Sequence, residues 1–118
     1  MITWHELSEE SQLNHLIQAS YLRPQLIFKH SVRCGTSAMI EHRLHQLSDD
    51  LGWDWYQLDL IRYRSLSDAI ASRFKVWHES PQVLVIDQGA CTAHTSHSAI
   101  SSGWLEVQVS KLQKQGEV

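Results

Sequence analysis

Cys34 is the residue of this chain whose surroundings most favour chemistry at a side chain. Arg33 precedes it and Ser37 follows three residues later, where apolar residues begin to recur at helical spacing. A thiolate attacks a disulfide, and an ordinary thiol with a pKa of about 8.5 is mostly protonated at neutral pH. Unpaired N–H groups at a helix start, the Arg33 cation and the Ser37 hydroxyl or N–H would stabilise the anion. The pattern therefore predicts a reactive thiol, and the alternative is a buried, inert cysteine.

The other cysteine, Cys91, is predicted to lie far from Cys34. It follows a predicted strand over residues 82–86, which spans about 17 Å at ~3.3 Å per residue, and the turn at its far end. That separation exceeds what a disulfide tolerates, so Cys91 is expected to be structural or an exposed bystander. Two cysteines are also too few for a secreted disulfide framework, and we expect a cytoplasmic, reducing environment.

The eight histidines raise the question of a metal site. His42 and His45 are three residues apart on a predicted helix, and His94 and His97 flank the end of the last predicted strand. A structural zinc site needs four ligands and a catalytic site usually three, and no further cysteine or carboxylate stands at a diagnostic spacing. We therefore predict no metal site, and solvated or hydrogen-bonded imidazoles instead.

The apolar pattern divides the chain into alternating strands and helices that position these groups. Predicted strands cover residues 1–4, 25–30, 53–60, 82–86 and 90–95. Predicted helices cover residues 9–21, a stretch from 38 that Gly52 terminates, a short segment from Ser65, and a last helix that Ser98 caps. The alternation indicates parallel crossovers, and the short turn after residue 86 indicates an antiparallel hairpin. The prediction is an α/β fold of order βαβαβαββα, with a mixed sheet covered on both faces.

Length and composition limit the classes of protein to which this chain can belong. A chain of 118 residues with 42% hydrophobic and 19% charged residues is typical of one globular domain, predicted to span residues 1–118. Ten basic and thirteen acidic residues give a formal charge of −3, which offers no basic surface to a nucleic acid. The apolar runs are short and the first residues lack a cationic leader, so we expect neither an export signal nor a membrane span.

Three residues or motifs, at their positions in the order of strands and helices, resemble those of the thioredoxin fold, which is a three-layer α/β sandwich. They are Cys34 after the second strand, Ser37 three residues on, and Ser80-Pro81 before the fourth strand. Longer stretches resemble the monothiol bacilliredoxin (YtxJ-like) family. These stretches are Phe28-Lys29-His30-Ser31 with Arg33-Cys34, Ser37 and Met39, then Arg73-Phe74 with Val76 and His78-Glu79-Ser80-Pro81-Gln82-Val83-Leu84, then Ser96-His97-Ser98 with Ile100. This chain has Gly35-Thr36 where that family's pattern has a Pro-containing pair.

The resemblance implies a monothiol thiol–disulfide oxidoreductase. Ser37 stands where a dithiol enzyme keeps its resolving cysteine, although it could also be an ordinary helix-start residue. Cys34 would take a small thiol, implied to be bacillithiol, from a protein mixed disulfide, and a second small thiol or a reductase would regenerate it. The implied partners are S-thiolated proteins, the small thiol as co-substrate and a reductase, with no tightly bound cofactor. The oligomeric state stays open.

The resemblance also implies residues that would bind substrate. It implies a cis Ser80-Pro81 bond facing Cys34, with the Ser80 backbone pairing to substrate, whereas composition alone favours an ordinary trans proline.

Three basic residues are expected near the opening of the site that contains Cys34. Lys29 and His30, which close the second strand, are expected to attract the carboxylates of the small thiol, and His97 to approach it. The alternative is a cationic loop without a role. Trp77 is expected either to pack in the core or to belong to a shallow protein-docking surface.

Two other functions stay open on the sequence. Cys34-Gly35-Thr36-Ser37 also resembles the Cys-Gly-Phe-Ser signature of monothiol glutaredoxins, which implies an iron–sulfur carrier ligated by one cysteine and one small thiol per subunit. Against the carrier, Thr36 replaces the aromatic residue, and the glycine pair expected after the terminal hairpin is absent. The third hypothesis is a redox sensor or docking module in which Cys34 is oxidised without turnover.

Overall fold

Five strands form one mixed β-sheet with helices on both faces in the computed structural model, which describes residues 1–116. The strands are β1 (Trp4–Glu6), β2 (Gln25–His30), β3 (Asp54–Asp59), β4 (Gln82–Asp87) and β5 (Ala90–Ser96). The helices are α1 (Glu10–Ala19), α2 (Gly35–His45), α3 (Arg64–Phe74) and α4 (Ser102–Gly116), with a 3₁₀ turn at His97–Ala99 before α4. This order confirms the predicted α/β architecture.

The sheet topology brings the end of β2 beside the start of β4. The strand order is β1-β3-β2-β4-β5, in which β2 and β1 run parallel to β3, and β4 runs antiparallel to both β2 and β5. Lys29 pairs with Gln82, and Phe28 pairs with Val83. Because β4 runs antiparallel to β2, the loop before β4 and the loop after β2 meet at the same end of the sheet.

Two apolar clusters pack on opposite faces of the sheet. Because successive side chains of a strand point to opposite faces, β2 contributes to both clusters. The first cluster contains residues of α1 and α3, and its members include Leu13, Leu16, Ile17, Ile27, Leu58, Leu66, Ile70 and Leu84. The second contains residues of α2 and α4, and its members include Leu26, Phe28, Ile40, Leu44, Trp55, Val83, Val85 and Leu105. The three layers expected from the resemblance are therefore present.

Helix α2 ends earlier than the apolar spacing predicts. The last helical residue is His45, whereas the pattern predicted a helix up to Gly52. The Asp49 side chain accepts the Leu51 N–H at 2.9 Å, and the Asp50 side chain accepts the Gly52 N–H at 2.9 Å. Aspartate side chains that bond the nearby backbone in this way favour turns over helix in residues 49–52. The prediction of the helix end was therefore wrong.

The last helix begins at Ser102, and Ser98 is not its cap. His97 has a φ of +56° and opens the 3₁₀ turn, and Ile100, which is fully buried, has an extended backbone. The Ser101 hydroxyl accepts the Trp104 N–H at 3.1 Å instead. Burial of Ile100 therefore fixes the start of α4. Within residues 1–116, no helix combines the length and the apolar character that crossing a membrane requires.

Candidate functional site

Cys34 occupies the N-cap position of α2, as the sequence predicted. Its backbone is extended, with φ −109° and ψ 119°, and its carbonyl accepts the Ala38 N–H at 3.1 Å. The side chain is half-buried and makes no capping hydrogen bond to any described residue. The free thiol therefore lies at the positive end of a helix, beside first-turn N–H groups, with access to solvent.

Arg33 is exposed next to this thiol. Its backbone N–H lies 3.4 Å from the Ser31 hydroxyl, which helps to hold the turn that leads into α2. The contribution of its charge to the reactivity of Cys34 stays a prediction.

Ser37 is fully buried in the first turn of α2. Its hydroxyl oxygen lies 2.7 Å from His30 Nδ1 and accepts the Ser31 N–H at 3.0 Å, while the Ser31 carbonyl accepts the Cys34 N–H at 3.2 Å. Among the described contacts there is no hydrogen bond from this hydroxyl to the Cys34 sulfur. The Ser37 hydroxyl therefore fastens the end of β2 to the turn that carries Cys34.

His30 connects this turn to a polar chain that the sequence analysis missed. His30 is 5% exposed, and its Nε2 lies 3.3 Å from Glu41 Oε2. Gln57 Nε2 donates to the same Glu41 oxygen at 2.5 Å, and Gln57 Oε1 lies 2.8 Å from His45 Nε2. Glu41 stands four residues after Ser37, one helical turn away, which is the signal that could have indicated it.

These polar groups line one wall of an open cavity of about 410 Å³. Its other walls include Trp4, whose ring stacks on the His45 imidazole at 4.7 Å, and Val32, two residues before the thiol. Because the His30 imidazole already contacts Ser37 and Glu41, its ring nitrogens are not free to bind a ligand at the opening of the site. The expectation that it attracts carboxylates of a small thiol is not supported by these contacts.

The prediction that Lys29 lines the opening of the Cys34 site was wrong. Lys29 is fully buried, and its Nζ donates to the Ser67 carbonyl of α3 at 3.1 Å and lies 3.5 Å from His78 Nδ1. The physical reason is strand alternation: His30 faces α2, so Lys29 faces α3 on the other side of the sheet. Burial lowers the pKa of the Lys29 ammonium to about 8, although the nearby Asp68 carboxylate opposes the shift. Burial and the Lys29 charge also lower the pKa of His78.

The loop before β4 contains the cis Ser80-Pro81 bond that the resemblance implied. The Pro81 carbonyl accepts the His97 N–H at 2.9 Å, and the 3₁₀ turn that His97 opens lies against α2. Pro81 is buried, His97 is exposed, and the buried Ser80 hydroxyl has no partner among the described residues. The structure therefore brings the proline loop, His97 and α2 together at one end of the sheet.

The family comparison matches the chain over most of its length. The family described as monothiol bacilliredoxin BrxC matches residues 5–105, which include Cys34, Ser37, Pro81 and His97. The chain belongs to this family. The bacilliredoxin assignment agrees with the resemblance noted in the sequence.

Solved structures show the same fold. A protein described as a candidate oxidoreductase with a thioredoxin fold superposes with a TM-score of 0.79 at 28% identity, covering 91% of this chain and 93% of that chain. Thioredoxin from Malassezia sympodialis has a TM-score of 0.75 at 10% identity, covering 94% of this chain and 91% of that one. A mutant thioredoxin from Halobacterium salinarum has a TM-score of 0.71 at 12% identity, covering 92% and 88%. The bacilliredoxin family and this oxidoreductase fold support a thiol redox role.

In this bacilliredoxin, Cys91 lies at the opposite end of the sheet from Cys34. It pairs with Ile86, which pairs with Gln25 at the start of β2, whereas Cys34 follows the end of β2. Its thiol donates to the Ala93 carbonyl at 3.3 Å and packs against the α1/α3 cluster. Burial raises the pKa of the Cys91 thiol to about 11, so this thiol is protonated at neutral pH. These contacts agree with the structural role predicted for it.

The histidine pairs do not assemble a ligand cluster in the described structure. Among residues 1–116, no group of three histidine, cysteine or carboxylate side chains is placed to hold a metal ion. His45 instead contacts Gln57 and Trp4.

Proposed function

We propose that this bacilliredoxin is a monothiol thiol–disulfide oxidoreductase that removes a small thiol, bacillithiol, from protein mixed disulfides through Cys34. The observation that carries the proposal is the accessible free thiol of Cys34 at the N-cap of α2. An anion at this position faces unpaired N–H groups and the positive end of the helix dipole. The cysteine has Ser37, and not a second thiol, one turn away.

The reaction consists of two thiol–disulfide exchanges. In the first, the Cys34 thiolate attacks the small-thiol sulfur of the mixed disulfide, a new S–S bond forms, and the protein thiolate leaves and takes up a proton. In the second, the thiolate of another small thiol attacks the small-thiol sulfur bound to Cys34. This step releases the oxidised small-thiol dimer and restores the Cys34 thiolate, and a reductase reduces the dimer.

The surface near the thiol supports a protein as the substrate. Val32 and Met39, two residues before and five after Cys34, are exposed apolar residues, and Trp77 before the proline loop is 90% exposed. Methionine and aromatic residues are enriched at protein–protein interfaces. In this proposal they contact the S-thiolated protein, while Ser80 offers its backbone to the substrate chain and His97 lies near the small thiol.

The family assignment is the support for bacillithiol as the small thiol. The same proposal places the protein in the cytoplasm, where low-molecular-weight thiols are kept reduced and can regenerate Cys34.

The test follows release of the small thiol from a model protein that carries one bacillithiol mixed disulfide. Wild type and the Cys91→Ser control are expected to remove the small thiol when free bacillithiol and a reductase are supplied. Cys34→Ser is expected to lose the activity, because burial raises the pKa of the remaining thiol, Cys91, to about 11 and keeps it protonated. Retained transfer by Cys34→Ser would contradict the mechanism.

A second arm separates the alternative functions. Anaerobic reconstitution with iron and sulfide would give a cluster spectrum that depends on Cys34 if the protein is an iron–sulfur carrier. Oxidation of Cys34 without any transfer would instead favour the redox sensor. The proposal expects transfer and no cluster.

A further inference from the structure

Basic residues are concentrated in α3 and in the segments on either side of it. The chain has a formal charge of −3, but the basic residues outnumber the carboxylates within residues 62–78. The basic residues are Arg62, Arg64, Arg73 and Lys75, all exposed, and the carboxylate is Asp68. This region therefore has the opposite charge to the molecule as a whole.

Two of these cations, Arg73 and Lys75, have no carboxylate partner within residues 1–116. The carboxylate of α3, Asp68, lies 3.4 Å from the guanidinium Nε of Arg64. The next carboxylate along the chain, Glu79, contacts a hydroxyl of β5 instead. Both cations at the end of α3 can therefore pair with a carboxylate of another molecule.

An exposed indole lies beside these two cations. Trp77 is 90% exposed and lines an open cavity of about 520 Å³, whose other walls include Ala71, Lys75 and Val76. The Trp77 carbonyl accepts a hydrogen bond from Gln82 Nε2 at 2.9 Å, which holds the backbone to β4 while the ring stays in solvent. Tryptophan and arginine are enriched among the residues that contribute most to protein–protein binding. The cavity and the cations together fit a segment that is both apolar and acidic.

Helix α3 lies at the same end of the sheet as Cys34. The helix begins after β3 and ends before β4, and the end of β3 and the start of β4 both flank the end of β2. Lys29, near that end of β2, donates to the Ser67 carbonyl in the middle of α3. Trp77 is three residues before Ser80, a distance of at most about 11 Å. A protein segment bound beside Ser80 therefore has residues within reach of the Trp77 ring.

We propose that Arg73, Lys75 and Trp77 form a docking surface for an acidic, partly apolar segment of the S-thiolated protein. The inference rests on the proposed function and goes further by naming the substrate class. The preferred substrates have carboxylates and an apolar side chain about three or four residues from the thiolated cysteine. Complementary charge accelerates the encounter, and contact with the indole slows dissociation.

The charges around His78 favour a protein segment over a nucleic acid. Burial is the first cause of the lowered pKa of this imidazole, and the cations of Lys29 and Arg64 are the next. The carboxylates of Asp68 and Glu79 oppose them with smaller effects. The potential here is therefore positive, although two carboxylates lie nearby. Such a surface suits a few carboxylates, whereas a dense row of phosphates is repelled by both carboxylates and by the net charge of −3.

A series of peptides tests the charge preference with the wild-type protein. Each peptide carries one cysteine as a bacillithiol mixed disulfide, the same leucine, and either Glu, Gln or Lys at the flanking positions. The kcat/KM for transfer to Cys34 should be roughly tenfold higher for the Glu peptide than for the Lys peptide at low salt. The preference should largely disappear at about 0.5 M salt, where charges on the surface are screened. Equal rates for the two peptides at low salt would overturn the proposal.

Charge reversal locates the surface. Arg73→Glu/Lys75→Glu should abolish the preference for the Glu peptide. Lys111→Glu/Lys114→Glu changes the net charge by the same amount on exposed residues of α4, which packs on the other face of the sheet, and should keep the preference. A preference that survives the first double variant, or that the second one also abolishes, would contradict the location.

The indole has a separate role that a second variant tests. Trp77→Ala should lower kcat/KM for the Glu, Gln and Lys peptides by a similar factor, because it removes apolar contact and leaves the charges in place. No loss with any of the three peptides would show that the ring does not belong to the docking surface.

Binding without chemistry separates this proposal from the proposed function. The NMR signal of the Trp77 indole N–H, assigned with Trp77→Phe, should shift when the Glu peptide is added with serine in place of its cysteine. If it shifts and no small thiol reaches Cys34 from the thiolated peptide, the proposed function fails and the docking surface stands. Equal transfer from the Glu and Lys peptides contradicts only the docking surface. A single-stranded oligonucleotide that shifts the signal when the Glu peptide does not would overturn the assignment to a protein partner.

Discussion

Lys29 shows how a strand position decides the chemistry of a charged side chain. The residue follows a buried apolar run and precedes His30, so sequence alone suggested a cation at the strand end. Alternation instead directs it into the α1/α3 side, where the Ser67 carbonyl accepts a hydrogen bond from its ammonium group. Side chains at adjacent positions of β2 therefore have different roles: His30 supports the thiol turn, and Lys29 links β2 to α3.

The lowered pKa of Lys29 predicts a pH-dependent stability. The ammonium titrates at about 8 in the folded chain, against 10.5 for the ordinary side chain. Between these values the unfolded chain binds a proton that the folded chain does not, so folding stability rises with pH. Wild type should therefore gain up to roughly 3 kcal/mol relative to Lys29→Met between pH 8 and 10.5. Below about pH 8 the Lys29 side chain is protonated in both the folded and the unfolded chain, so this gain in folding stability is absent.

Urea unfolding of both proteins across this pH range measures the difference. Lys111→Met, which removes an exposed ammonium from α4, is the matched control and should show no such trend. A difference between wild type and Lys29→Met that does not vary with pH would show that the ammonium is not held in this buried environment.

Helix α2 is positioned at both its first and its last turn. Ser37 ties its first turn to β2, and Arg43 Nη1 donates to the Ile100 carbonyl at 2.8 Å. Ile100 closes the 3₁₀ turn, whose first residue, His97, bonds to Pro81. The Arg43 contact therefore joins the helix that carries the thiol to the segment beside the proline loop.

Removing this contact should loosen that segment. Arg43→Met is expected to accelerate hydrogen exchange at the Ile100 and His97 N–H groups, because the carbonyl loses its charged partner. Exchange in β3 should not change. Arg64→Met, which removes only an exposed pair with Asp68, is the control. Unchanged exchange at Ile100 and His97 would contradict the positioning role of Arg43.

The elements also show what sequence could predict. The order of strands and helices and the position of Cys34 followed from apolar spacing, because a buried face leaves a local pattern. The cis Ser80-Pro81 bond followed only from the family resemblance. The contact of Glu41 with Gln57 could not be predicted, because it depends on how α2 packs on β3. The side chains of Asp49 and Asp50 accept backbone N–H groups of a turn after α2, in the segment where the apolar spacing continued.

At the scale of the whole molecule, the sheet keeps the two cysteines apart. Cys34 follows one end of β2, and Cys91 lies level with the strand's other end. A six-residue strand spans about 20 Å, well beyond the Cα separation of ~7 Å that a disulfide permits. The fold therefore makes the protein monothiol in practice, although it contains two cysteines.

Thiol labelling tests this separation. With a limiting time of iodoacetamide treatment at pH 7.5, Cys34 should be labelled and Cys91 should not, because the buried Cys91 thiol is protonated below a pKa of about 11. Unfolding in guanidinium should expose both. Treatment with diamide should give no intramolecular disulfide in the folded protein, as judged by peptide mapping. A Cys34–Cys91 bond would contradict the arrangement.

The proposed function depends on the transfer of a small thiol from a protein to Cys34. The most direct measurement is the intact mass of both proteins after equimolar mixing of the reduced chain with a bacillithiolated substrate protein, with no free small thiol present. We expect the substrate to lose the mass of one bacillithiol residue and this chain to gain it, with the adduct mapped to Cys34. A substrate that keeps its adduct, or an adduct found on Cys91, would contradict the account.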